Sequence, residues 1–285
     1  MQATVPDLAG WVGRETSSQD VVSVAPILGL QAVLDRPEAA PPSGAAIPYL
    51  AHWLYFLPHE PMRVLGEDGH PQRGGFLPPV TLPRRMWAAS RVEFVRPVRI
   101  GAQITRRSVL GDVREKMGRS GRLVFVRVDH EISDHAGLLV RESQDIVYRE
   151  PPSSDAAAAP QRTAEVPDWA RAIVPDPALL FRYSALTFNS HRIHYDHPYA
   201  TAVEGYGGLV VQGPLIATLL LNELVQRRPD IEIVTFEFRA VSPIIAPDPF
   251  FICGSVQGTR ASLFARNGAG GLCMQASAGL REEGR

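Results

Sequence analysis

Apolar and polar positions along the chain change their period twice. From Ser90 the first half runs in extended segments. Arg91–Ile100, Gln103–Leu110, Leu123–Ile132 and Leu138–Tyr148 alternate apolar with polar residues or carry β-branched clusters, with Gly-containing turns between them. Gly118-Arg-Ser-Gly121 has the composition of a hairpin connection. Ahead of these runs, Asp20–Leu34 predicts a helix with Ser17, Ser18 or Asp20 as its cap and Pro37 beyond its end. Pro26 inside it calls for a kink or a later start. The aromatic segment Pro48–Pro58 predicts a buried helix. The second half repeats the order. Phe181–Thr187 opens it, a polar loop follows, and Pro214–Arg227 predicts an apolar helix. Ile231–Val241, Phe250–Gln257, Ser262–Asn267 and Gly271–Gly279 then read as strands.

Between the halves, Pro151-Pro-Ser-Ser-Asp-Ala-Ala-Ala-Ala-Pro160 is small, polar and flanked by proline, the composition of a linker. The chain therefore divides into residues 1–150, a linker at 151–168 and residues 169–285, each half near the usual domain size. Helix followed by antiparallel meander, twice over, predicts a duplicated α+β unit. A faint internal match agrees: Glu93-Phe94 precedes Pro97 much as Glu237-Phe238 precedes Pro243.

Composition narrows the function. With 45% hydrophobic and 21% charged residues, the 285-residue chain is that of a globular protein able to bury a core without staples. Its 29 basic and 30 acidic residues leave a net charge of -1, which gives no electrostatic ground for a nucleic-acid partner. Lys116 is the sole lysine, so the anionic groups of a substrate fall to arginine. Cys253 and Cys273 stand among apolar or small residues and read as reduced, buried thiols. Residues 1–20 lack a basic start followed by an apolar run. The longest apolar stretch, around Leu215–Leu221, is too short to span a bilayer. No membrane association and a cytoplasmic location are expected.

One segment concentrates chemistry. Residues 181–196 read Phe-Arg-Tyr-Ser-Ala-Leu-Thr-Phe-Asn-Ser-His-Arg-Ile-His-Tyr-Asp, and His191, His194, Asp196 and His197 crowd together in a chain of 8 histidines. As a metal site, His191, His194 and Asp196 would need partners, and no second cluster of Cys, His or carboxylates stands out elsewhere. No metal is expected. Imidazoles titrate near neutral pH, so proton transfer is the chemistry this segment favours. Val203-Glu-Gly-Tyr-Gly-Gly208 has glycines but neither the spacing nor the lysine of a phosphate loop.

Thr187-Phe-Asn-Ser-His-Arg-Ile-His-Tyr-Asp196 resembles, in register and without a gap, the signature of the MaoC-like (R)-specific enoyl-thioester hydratases and dehydratases. That signature runs Ser/Thr-Gly-Asp-x-Asn-Pro-Ile/Leu-His-x-Asp. Gln212-Gly213-Pro214 stands where that family begins its central helix. Leu65-Gly-Glu-Asp-Gly-His-Pro71, Gly74-Gly-Phe-Leu-Pro-Pro79, Pro83-Arg-Arg-Met-Trp87 and Asp145-Ile-Val-Tyr-Arg-Glu150 extend the likeness over residues 8–280. They are similar to the two-domain branch that holds mesaconyl-C4-CoA hydratase, itaconyl-CoA hydratase and hydroxyacyl-thioester dehydratase type 2.

The resemblance implies a double hot dog, each half a long helix wrapped by an antiparallel sheet. It implies a hydro-lyase that hydrates or dehydrates the α,β double bond of an acyl thioester. No cofactor follows from it, the coenzyme A thioester being the substrate, and a homodimer is allowed. His194 becomes the acid and base, Gly213 the oxyanion donor through its N–H at a helix start. Asn189 orients the water, although the wider family has there an Asp whose proton-accepting role an Asn cannot take. His191, Arg192, Asp196, Tyr206, Gln212, Arg84 and Arg85 are the substrate-binding candidates, the arginines for phosphate or carboxylate. Orienting a neighbouring imidazole and capping a turn are equal readings for Asp196, and Glu204 shares the Gly-rich loop with Tyr206. The first half, which lacks an Asn or Asp with a His five residues later, is expected to have lost catalysis and to shape the acyl and pantetheine channel.

A short dicarboxylic enoyl-CoA, of the mesaconyl-C4-CoA or itaconyl-CoA type, is the first expectation for the substrate. An (R)-3-hydroxyacyl-ACP or -CoA of fatty-acid synthesis is the alternative. A thioesterase or a non-catalytic acyl-CoA-binding subunit would share the fold; release of free CoA thiol marks the first, binding without turnover the second.

Overall fold

The computed structural model describes residues 8–36, 38–118, 121–150, 161–163 and 165–282. The first half holds β1 (Glu15–Val21), α1 (Ala25–Val33), β2 (Arg84–Phe94), β3 (Gln103–Gly118), β4 (Gly121–Asp134) and β5 (Gly137–Arg149). The second opens with β6 (Trp169–Ile173), α2 (Pro177–Leu186), β7 (Leu209–Val210) and α3 (Gly213–Arg227). It closes with β8 (Ile231–Ala240), β9 (Ile245–Ala246), β10 (Phe250–Gln257), β11 (Arg260–Asn267) and β12 (Leu272–Glu282). Ten strands form one sheet in the order β1-β3-β4-β5-β2-β8-β12-β11-β10-β6, and β7 pairs with β9 apart from it. Five strands from each half meet where β2 runs antiparallel to β8, Ser90 opposite Phe238. These two strands carry the matched Glu-Phe pairs, so the internal repeat meets itself at the seam. The architecture is the α+β double hot dog.

The core explains why the site is held rigidly. Leu215, Ile216, Leu219, Leu220, Leu221 and Leu224 of α3 are all buried, so the helix is apolar almost all round, as enclosure by a sheet requires. At roughly 1.5–3 kcal/mol for each large aliphatic side chain, these contribute on the order of 10 kcal/mol and leave the helix no freedom to slide. Its N-terminus at Gly213 is therefore a fixed point. The same cluster takes in Ile27 and Leu30 of α1, Leu54 and Tyr55, and Phe236 and Phe238 of β8, so both halves share one core.

The first half departs from expectation in several places, the first being that the strand expected over Arg91–Ile100 runs over Arg84–Phe94 instead. The helix expected over Asp20–Leu34 begins only at Ala25, with Pro26 in its first turn. The residues before it pair as an edge strand, Glu15 opposite Val109 and Val21 opposite Gln103. Ser17 and Ser18 are thus strand residues, and the Asp20 carboxylate accepts from the N–H groups of Val21 and Phe56 instead of capping α1. Pro48–Pro58 is largely buried but holds only a 3-10 turn at Ala51–Leu54, because Leu50 and Phe56 take φ of 65° and 55°, which no α-helix admits. Among the described residues, the long helix expected in each half is present only in the second, α1 having 9 residues against 15 in α3.

The second half follows the predicted order, with α3 starting at Gly213, and adds three strands not expected from the sequence, β6 ahead of α2 and the short β7–β9 pair. Pro37, residues 151–160 and the hairpin tip Arg119–Ser120 lie outside the described residues. The end of the expected linker is already tied into the second half: the Gln161 carbonyl accepts from Leu272, and the Asp168 N–H donates to Gly254. Both cysteines are free and buried. Among the described residues no helix is long and apolar enough to cross a membrane.

Candidate active site

The signature segment is delivered by α2. Asp176 caps that helix, accepting from the Leu179 N–H at 2.7 Å, and Pro177 sits in its first turn. Beyond Leu186, Phe188 at φ 51° turns the chain back. Asn189 then closes a tight turn, its Oδ1 accepting from the His191 N–H at 3.0 Å. A 3-10 turn over Arg192–His194 brings His194 beneath the surface, 7% exposed, where its Nδ1 lies 2.7 Å from the Val210 carbonyl. A carbonyl only accepts, so the proton sits on Nδ1 and Nε2 keeps the lone pair. Burial pushes the His194 pKa down to about 4, with the Val210 bond opposing and His70 adding to the fall. The ring is therefore neutral at physiological pH, the form a general base needs. Val210 belongs to β7, so the strand that orients His194 leads directly into the start of α3. At Gly213 a Cβ would stop 3.9 Å from the Trp87 carbonyl, so this helix start is uncrowded.

Two residues that sequence reasoning missed come from the first half. Asp68-Gly69-His70 forms a turn of the same kind, Asp68 Oδ1 accepting from the His70 N–H at 2.9 Å. Asp68 Oδ2 lies 3.1 Å from His70 Nδ1, which places that ring proton on Nδ1. Backbone contacts dock this turn on the other. The Arg192 N–H donates to the Asp68 carbonyl at 2.9 Å, and Ser190 Oγ donates to the Gly69 carbonyl at 2.5 Å. Gly69, at φ 85°, lies so close that a Cβ there would stand 1.9 Å from the Ser190 carbonyl oxygen.

In consequence the His70 ring packs on His191 with centroids 4.1 Å apart, and His191 meets His194 edge-on at 5.3 Å. Asp68 stands at one end of this stack and His194 at the other. Burial lowers the pKa of His191, and its two imidazole neighbours lower it further. Burial also lowers that of His70 against the opposing pull of Asp68. The Asp68 carboxyl is pushed up by burial, but the hydrogen bonds and charge of His70 prevail and hold it below the usual carboxylate range. Ligand atoms of Asp68, His70 and His191 lie within 4.8 Å of one another, close enough for a cation. The second ligand cluster that the sequence reading failed to find thus exists, although both Asp68 oxygens are engaged by His70.

The remaining candidates separate clearly. Asp68, Arg84, Arg85, Arg149, His191 and Tyr206 line a small cleft. Arg84 is neutralised there by Glu204 at 2.8 Å and lies over the Tyr206 ring. Arg85 makes no close ion pair among the described residues. Arg192 and Asp196 pair at 2.7 Å, the guanidinium also holding the Glu67 carbonyl and the carboxylate the Tyr199 N–H. They shape the loop, and the contact of Asp196 with the Tyr199 N–H is a turn-capping one. Gln212 also departs from expectation. It is wholly buried, and its amide nitrogen donates to the Leu180 carbonyl and Ser184 Oγ, both at 2.9 Å, tying α2 to the start of α3. A larger cavity of about 380 Å³ lies elsewhere, between α1, residues 46–52 and the outer turns of α3, and none of the stacked imidazoles lines it.

The sequence profile of hydroxyacyl-thioester dehydratase type 2 matches residues 50–246, a stretch that includes both docked turns and the start of α3. The chain belongs to this family. Mesaconyl-C(4)-CoA hydratase of Chloroflexus aurantiacus is 45% identical over 275 residues, 96% of this chain and 98% of that protein. The mitochondrial hydroxyacyl-thioester dehydratase type 2 of Schizosaccharomyces pombe is 29% identical over 273 residues, 84% of this chain and 90% of the other. Among solved structures, a MaoC-like dehydratase matches with a TM-score of 0.74 at 13% identity, over 97% of this chain and 100% of the other. HtdX of Mycobacterium tuberculosis matches with 0.67 at 19% identity, over 94% and 100%. At such identities the likeness is one of fold, the MaoC-like hot dog.

The neutral histidines of this family member carry a stability consequence. An unfolded histidine titrates near 6.5, whereas folded His194 does so at about 4. Between those values the unfolded chain binds a proton that the folded one refuses, so stability falls as pH drops from about 6.5 toward 4. The loss expected from His194 alone is on the order of 3 kcal/mol. Thermal unfolding at pH 7, 5.5 and 4.5 checks this. A midpoint that does not move would contradict a buried neutral ring.

Proposed function

We propose that the chain hydrates, or in reverse dehydrates, the α,β double bond of an acyl-CoA whose acyl group is short and carries a second carboxylate, as in mesaconyl-C4-CoA or itaconyl-CoA. The observation that carries the reaction class is His194, a buried imidazole of fixed tautomer anchored on the strand that leads into the uncrowded start of α3. As water attacks the β-carbon, His194 Nε2 takes its proton and the π electrons move toward the thioester carbonyl. Its oxygen gains charge beside the Gly213 N–H, where a helix start favours an anion. The carbonyl re-forms as the α-carbon takes a proton from His194, and the site returns to its starting protonation. Asn189 Oδ1 serves its own turn, which leaves Nδ2 to hold the water.

The cleft supports the acyl group. It is small, and Arg85, which makes no close ion pair among the described residues, is suited to a distal carboxylate. The 45% identical relative is named for mesaconyl-C(4)-CoA, in agreement. Hydration is redox-neutral, so the reading calls for no electron carrier. Within it, residues 169–285 carry His194 and residues 1–150 shape the acyl and pantetheine channel, in a cytoplasmic enzyme. One sheet already pairs the two halves, so a second copy is not needed to complete it. A dehydratase of (R)-3-hydroxyacyl carriers is the second reading, favoured by the name of the 29% identical Schizosaccharomyces pombe relative.

Loss of enoyl-thioester absorbance on mesaconyl-C4-, itaconyl- and crotonyl-CoA tests both. Arg85→Gln is expected to raise KM for the diacids by about tenfold or more, the scale of a charged hydrogen bond, and to leave crotonyl-CoA within about twofold. Equal effects on all three would remove the dicarboxylic assignment. Release of CoA thiol with the double bond intact would make the protein a thioesterase.

A further inference from the structure

His194 must hold a positive charge between taking the proton from water and returning it, and it does so while buried. Among the described residues 189–208, the loop that carries it, no carboxylate is free for that charge. Asn189 is neutral, Asp196 is bound by Arg192, and Glu204 by Arg84. The charged and titratable groups acting on the stack are Asp68, Arg73 and Arg85 on His70, Asp68 and Arg85 on His191, and the imidazoles on one another. Asp68 is the one anion among them.

Nor is its place incidental. Asp68-Gly69-His70 and Asn189-Ser190-His191 share one turn geometry, the side-chain oxygen of the first residue accepting from the N–H of the third. The two turns are joined by the Arg192 N–H bond to the Asp68 carbonyl and the Ser190 hydroxyl bond to the Gly69 carbonyl, across an approach so tight that only glycine fits at position 69. One turn carries an amide, the other a carboxylate, and their histidine rings are stacked.

Building on the hydratase reading, we propose that Asp68 of the first half is a positioning residue of the reaction. It holds His70 in a single tautomer against His191 and supplies the negative charge that the imidazole stack needs while it holds the proton. The first half is then part of the chemistry and not only the wall of a channel.

Asp68→Asn tests this with little disturbance, because an amide oxygen still accepts from the His70 N–H and keeps the turn. With the full-length protein and its preferred enoyl-CoA, kcat is expected to fall about 100-fold, on the scale of a lost acid–base element, with KM changing less than about threefold. Asp68→Glu should recover about tenfold of that loss, and so should Asn189→Asp added to Asp68→Asn, which returns a carboxylate to the other side of the stack. Nitrogen-15 NMR of the histidine rings should show His70 leaving its Nδ1–H tautomer in Asp68→Asn. The proposal is overturned by an Asp68→Asn enzyme within about threefold of wild type, well below what an acid–base element contributes. It is equally overturned by a loss that neither rescue relieves and that tracks a lowered unfolding midpoint, which would make Asp68 scaffold alone. Activity that vanishes on chelation and returns with added zinc or manganese would make it a metal ligand instead. A wild-type protein with no turnover on any thioester defeats the hydratase reading itself, and with it this role; an active wild type with an unaffected Asp68→Asn defeats this role alone.

Discussion

His194→Ala is expected to lower the rate of enoyl-thioester hydration by about 100-fold to 10,000-fold, the range of a positioned acid–base group, while the protein stays folded. The lost side chain leaves the Val210 carbonyl without its donor, at about 1–3 kcal/mol, against a total stability of roughly 5–15 kcal/mol for a folded domain. Folding therefore survives and the chemistry does not. The pH profile supplies a second signature. Because burial holds the His194 pKa at about 4, the acid limb of kcat/KM should lie well below the ordinary histidine value of about 6.5. Steady-state rates between pH 4.5 and 8, for wild type and variant, measure both quantities. A variant within about tenfold of wild type would remove His194 as the base, since a positioned base contributes more than that.

His194 was legible because its surroundings are contiguous. Asn189, His191, His194 and Gly213 lie on one stretch of chain, and the apolar period of α3 marks where that stretch must dock. The strands β8 and β10 were legible for the same reason, being buried runs whose pattern is set by the core. β1 was not, since Thr16-Ser-Ser-Gln-Asp20 has no apolar pattern of its own and becomes a strand only because β3 offers an unpaired edge. The fold of Pro48–Pro58 was hidden likewise, its left-handed Leu50 and Phe56 being imposed by packing.

Among the candidate site residues, Gln212 and Arg192 are held partly by groups that come from afar. Gln212 looks like a substrate group until α2 arrives to take its amide, and Arg192 until the Glu67 carbonyl does. Asp68 and His70 are the reverse case. They lie in the Leu65–Pro71 segment that extends the family likeness, but nothing there marks them as site residues, and the contact between Gly69 and Ser190 spans 121 residues. Their shared spacing, Asp-x-His against Asn-x-His, acquires meaning only when the two turns are seen face to face.

Gly69→Ala should therefore separate the two halves of the site. At φ 85° an alanine is strained by about 1–2 kcal/mol. Its Cβ, 1.9 Å from the Ser190 carbonyl oxygen, meets backbone that cannot rotate away. Relief requires a shift of more than about 1 Å, since such contacts close no nearer than van der Waals distance. The restraint opposing that shift is a set of three hydrogen bonds, from the Arg192 N–H to Asp68, from Ser190 to Gly69 and from the Arg192 guanidinium to Glu67. At about 1 kcal/mol each, with somewhat more for the charged donor, they are weaker than the core around α3. The turn therefore undocks before the fold gives way. The expected outcome is an unfolding midpoint only a few degrees lower, on the order of 3 kcal/mol of local stabilisation lost, and a kcat reduced by about 100-fold as His70 leaves His191. Gly75→Ala, where a Cβ meets nothing within 4 Å, is the control and should keep both. If Gly69→Ala retains its rate while the midpoint falls, the docked turn is structural and the acid–base machinery lies in the second half alone.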